Sequence, residues 1–76
     1  MTKEKWKQKF SEALRAKVKA KGYKLTDVAA RADLSYEGVK AYAHADRIPT
    51  AYAVNCLASV LDCSTDELIN FDIYEE

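Results

Sequence analysis

The side chains able to do covalent or metal chemistry are few in this sequence, and they stand apart. The one histidine, His44, has only Asp46 as a near acidic neighbour, whereas a metal site needs three or four converging ligands. It reads as a surface residue, and no metal is expected. Cys56 and Cys63 fall on what reads as one helix and its exit; they are expected to be reduced thiols of a reducing compartment. No Ser/His/Asp arrangement, phosphate-cradling glycine loop or ligand cluster is visible, so neither an enzyme nor a cofactor is expected. What remains is charge. Residues 1–24 hold nine basic side chains against Glu4 and Glu12, residues 25–47 are close to neutral, and residues 48–76 hold six acids and no base. The formal net charge of zero argues against an unselective nucleic-acid binder, while the polarisation along the chain provides both a basic and an acidic surface.

The elements that must position these charges are short. A chain of 76 residues supports one modest core, so residues 1–76 read as a single domain. Hydrophobic residues at 49% and charged residues at 32% place it among globular chains, away from disordered ones. No apolar run approaches the roughly 18 residues of a membrane span, and Met1 to Lys5 lacks the apolar stretch of a secretion signal. A cytoplasmic protein with no membrane partner is expected.

Trp6, Phe10, Ala13, Leu14 and Val18 recur at helical spacing, which predicts an amphipathic helix over residues 4–21, ended by Gly22 and lysine-rich on its other face. Val28, Ala29 and Ala32 predict a second helix over 25–32, broken at Asp33-Leu34-Ser35. Ser35 is a suitable N-cap for a third helix over 36–44, with Val39 and Tyr42 inward and Gly38 lowering its propensity. A loop from Ala43 to Pro49 leads to Thr50, the N-cap of a fourth helix over 51–61 whose stripe is Val54, Leu57, Ala58 and Leu61. Ser64 to Glu67 fits a capping box, in which each residue's side chain bonds the other's amide, and opens a fifth helix over 65–70 carrying Leu68 and Ile69. The expected core is Leu14, Val18, Val28, Ala29, Val39, Leu57, Ala58, Leu61 and Leu68. A strand is suggested only at Phe71–Tyr74, in the short tail 71–76.

In order and spacing these elements resemble the Cro/CI-type (XRE family) helix-turn-helix domain of phage repressors, over residues 10–71. Val28-Ala29 stands where the family has Leu-Ala, Asp33-Leu34-Ser35 where it has Gly-Val-Ser, and Val39 and Tyr42 where it has Ile and Trp. Arg47-Ile48-Pro49-Thr50 is similar to its Arg-x-Pro-Ser, and Leu57-Ala58, Leu61, Ser64 and Asp66-Glu67-Leu68 keep its later register. The departures are Leu25, where a Gln commonly meets phosphate, Asp33 in place of the turn Gly, and Ala43-His44-Ala45 in place of Glu-Asn-Gly.

The resemblance implies an all-α, five-helix fold with the helix-turn-helix near 25–44, and a homodimeric, sequence-specific regulator of double-stranded DNA, acting as a repressor. Its third helix enters the major groove, where early residues meet base edges, and phosphate contacts come from the start of the second helix and the loop before the fourth. Carried over by position, the readers are drawn from Ser35, Tyr36, Glu37, Gly38, Lys40 and Ala41. Lys40 is placed to donate to guanine, Glu37 to accept from cytosine, and Tyr36 to touch a thymine methyl or a phosphate; Gly38 and Ala41 offer no side-chain hydrogen bond. Lys24, Ser35 and Arg47 hold the phosphate-contacting positions. The alternative is a protein-binding module on the same fold, an antirepressor or antitoxin-like partner, using the acidic C-terminal half or the basic first helix.

Overall fold

The computed structural model describes residues 1–71. It contains five helices: α1 (Lys3–Lys21), α2 (Leu25–Ala32), α3 (Tyr36–Ala43), α4 (Ala51–Val60) and α5 (Asp66–Ile69). Among the described residues there is no strand. Of the suggested Phe71–Tyr74 strand, Phe71 is not in one, and residues 72–74 lie outside the described residues. No helix among the described residues is long and apolar enough to cross a membrane.

Local chemistry sets the helix ends. Thr2, Ser35 and Thr50 each accept, through the side-chain hydroxyl, the amide three residues on, at 3.1, 3.0 and 3.0 Å, so each satisfies a donor that the first turn leaves without a partner. At α5, Ser64 N donates to Glu67 Oε2 at 2.8 Å and Glu67 N donates to Ser64 Oγ at 3.4 Å, the reciprocal box that the sequence suggests. Gly22 ends α1 in the left-handed region at φ 71°, and Asp33 ends α2 there at φ 56°. Asp suits that position because its short side chain tolerates positive φ better than most. Helices α3 and α4 each stop one residue short of the predicted end: His44 and Leu61 still donate to Lys40 O and Leu57 O, at 3.0 and 2.9 Å, but their dihedrals have left the helix.

All nine residues expected in the core are buried. Phe10 joins them, stacked on Trp6 with ring centroids 5.6 Å apart and edge-on to Tyr42 at 6.4 Å. Helix α1 packs on α3 and α5, and α2 on α3 and α4. Ala43, where the predicted third helix and the loop after it overlap, is the last residue of α3 and is buried, and its carbonyl accepts a hydrogen bond from the buried Ser11 hydroxyl of α1. Cys56 and Cys63 are free and half-buried; burial, first among several influences, pushes the Cys63 thiol up.

The basic and acidic blocks, far apart in sequence, meet in the fold. Lys17 Nζ donates to Glu67 Oε1 at 2.8 Å, joining α1 to α5, and Lys21 lies 3.7 Å from Asp62. The Lys17 hydrogen bond, then the Ser64 amide, hold the Glu67 carboxyl below its ordinary value, and Glu67 in turn raises Lys17.

Leu57 is fully buried, so Leu57→Ala is expected to cost about 2 to 5 kcal/mol by leaving a cavity; an unchanged melting curve would remove it from the core. A lowered folded pKa means that the Glu67 contribution is present above the ordinary carboxylate range of about 4 and is lost as pH falls through the folded value. The Lys17 contribution has the opposite sign: it is present below the ordinary lysine range and is lost as pH rises through the raised value. Glu67→Gln retains an oxygen able to cap Ser64 but no charge. Its acid limb in a plot of stability against pH should be shallower than the parent's, and an identical limb would mean that the pair contributes nothing.

Candidate nucleic-acid interface

What α3 buries dictates what it presents. Of its eight residues, Gly38, Val39, Tyr42 and Ala43 are buried. Tyr36, Glu37 and Lys40 are exposed, with Tyr36 at 41%. Of the positions carried over as readers, Gly38 therefore faces inward and Ala41 is half-buried, so neither belongs to the outward edge. Glu37 lies in the first turn, where its charge is favoured by the positive end of the helix dipole. Glu37 and Lys40, three residues apart, share one side of the helix, and no ion pair joins them among the described residues, so both retain their hydrogen-bonding capacity.

Ser35, Gly38 and Arg47 are brought together. A Cβ built on Gly38 would lie 2.9 Å from Ser35 Oγ and 3.9 Å from Arg47 Nη1, so the Arg47 guanidinium reaches back from the α3–α4 loop over the start of α3. The Ser35 hydroxyl accepts the Gly38 amide and still has a proton to donate. A phosphate against this corner would meet an arginine and a hydroxyl donor at once.

Lys24 is different. It is exposed at the head of α2, at the opposite end of that helix from the turn, and its own amide donates to Asp27 Oδ2 at 3.0 Å. The Asp27 carboxylate thus occupies the place where an incoming anion would be drawn. Leu25 beside it is half-buried and packs on the core, which accounts for an apolar side chain at that position. Arg31 is turned to the Tyr23 ring, 4.7 Å from its centroid. His44 is exposed and lines a polar cleft with Glu12 and Arg15 between α1 and the loop after α3. Among the described residues no three His, Cys, Asp or Glu side chains gather as metal ligands.

Sequence reasoning missed Ser11, which shows no periodic signal beyond being a small residue beside Phe10 on the inward face.

No family model, curated protein or solved structure matches the chain.

Helix propensity alone favours Gly38→Ala by about 1 kcal/mol. The added Cβ, however, meets the capping hydroxyl at 2.9 Å, and losing the cap costs about the same. The variant is therefore expected to gain no stability in thermal or denaturant unfolding; a clear gain would mean that Ser35 re-seats without cost.

Proposed function

We propose that this chain is a sequence-specific DNA-binding regulator of the Cro/CI helix-turn-helix kind, cytoplasmic and acting on double-stranded DNA, a repressor by occupancy, with α3 as the reader in the major groove. The observation that carries the reading is the outward edge of α3: Tyr36, Glu37 and Lys40 exposed together, directly after a three-residue turn, with the Ser35 hydroxyl and Arg47 guanidinium at its head. Lys40 and Glu37 are the base readers and Tyr36 the apolar contact, while Arg47 and Ser35 hold phosphate. Lys24 is a weaker phosphate contact because Asp27 stands beside it.

The protein-binding alternative draws on the basic first helix or the acidic C-terminal half. The Lys17–Glu67 and Lys21–Asp62 pairs turn parts of those two blocks on each other, which leaves less of either for a partner.

A salt-dependent titration against random duplex, and against duplex from the region beside the chain's own gene, tests the proposal. Each phosphate neutralised contributes about −0.9 to the slope of log affinity against log salt; with few cations at α3, a shallow slope is expected. Lys40→Ala should cost roughly 1 to 3 kcal/mol on the preferred site and relax one base pair, whereas Arg47→Ala should weaken every duplex about equally. Glu37→Gln should raise nonspecific affinity, since an acid leaves a phosphate-facing surface. A parent that binds no duplex at low salt, or three variants indistinguishable from it, would sink the reading.

A further inference from the structure

Between α1 and the loop after α3 lies an open, mostly polar cleft of about 520 Å³, the size of a small-molecule site. The reading edge of α3 is no part of it. Gln8, Glu12, Arg15 and His44 line the cleft and are exposed. Glu12 and Arg15 are three apart on one helix, which sets their Cβ atoms about 5 to 6 Å from each other. Among the described residues, however, no ion pair joins either of them to another charge. Arg15 Nε donates instead to the Ser11 carbonyl at 3.3 Å, which steadies one edge of the guanidinium and leaves its terminal N–H groups for a ligand.

The opposite wall is set as firmly. Ala45 stands in the left-handed region at φ 61°, where an alanine stays only when its surroundings hold it. Ala45 N donates to Tyr42 O at 3.3 Å and Asp46 N to Ala41 O at 2.8 Å, closing the end of α3. Ser11 and Ala43, whose hydrogen bond ties this wall to α1, both line the cleft. A site held in this way needs little ordering when a ligand enters.

The two charges decide what fits. An anion brought to Arg15 meets Glu12 beside it, and a cation brought to Glu12 meets Arg15, so each is attracted and repelled at once. A compact ligand that carries both charges close together satisfies both side chains. We propose that this cleft binds a free α-amino acid with a small polar side chain, its carboxylate on the Arg15 guanidinium and its ammonium on the Glu12 carboxylate. Gln8 and His44, each with a donor and an acceptor, receive the ligand's side chain. Both charges stay near water, where an ion pair is worth little, so a dissociation constant on the order of 1 mM is expected.

The proposal does not rest on DNA binding, and its test uses the protein alone. Serine and glutamine are titrated into the ¹⁵N-labelled chain, and the amide signals of Arg15, His44 and Ala45 should move with a common, saturating curve while those of α4 stay in place. Glutamine amidated at its carboxyl or acetylated at its amine lacks one of the two charges, and each form should bind about tenfold more weakly or worse. Arg15→Ala and the isosteric Glu12→Gln should weaken glutamine to the same degree, whereas Lys19→Ala, on α1 but outside the cleft, leaves it unchanged. Both altered side chains are exposed, and circular dichroism identical to the parent's shows that each variant is folded. No movement with either amino acid up to about 20 mM, well above the expected constant, overturns the proposal. Acetylated glutamine or inorganic phosphate binding as well as glutamine also overturns it, since the cleft would then take any anion. So does binding indifferent to both substitutions.

Discussion

The buried hydrogen bond from the Ser11 hydroxyl of α1 to the Ala43 carbonyl at the end of α3 is the contact on which the outward edge of α3 depends. An eight-residue helix is too short to hold itself in water, so α3 takes its position from what it touches. Val39 and Tyr42 fill the core, and such packing tolerates small rotations of a helix about its axis. A hydroxyl bonded to one carbonyl does not. It also satisfies one of the acceptors that a helix C-terminus leaves without a partner, and leaving that acceptor unmet in a buried place carries a penalty that apolar packing cannot offset locally. With the end of α3 tied to α1 by Ser11 and its inner side seated by Val39 and Tyr42, Tyr36, Glu37 and Lys40 are left facing outward.

The charges follow a second constraint. Along the sequence they separate into a basic head and an acidic tail, an arrangement that suggests two binding surfaces. In the fold Lys17 meets Glu67 and Lys21 meets Asp62, while Lys7 meets Glu4 within α1. Each exposed pair contributes little, but together they remove part of the long-range field that either block would cast alone. Around α3 the cations Lys40 and Arg47 stand with Glu37 and Asp46 close by in sequence. Such a face is close to neutral and carries little general attraction for polyanions.

Much of this fold was legible because capping chemistry and helical period agree at each junction. Gly22, Asp33, Ser35, Thr50 and Ser64 mark the boundaries, and the apolar residues between them repeat at three and four. Contacts between elements were not legible. Nothing in the spacing of Ser11 and Ala43, 32 residues apart, indicates that they meet, and charge counting cannot reveal that Lys17 and Glu67 do. Gly38 shows the same limit at the candidate site: as a residue type it reads as a weak helix former, and only the structure shows that a Cβ there would lie 2.9 Å from the Ser35 hydroxyl.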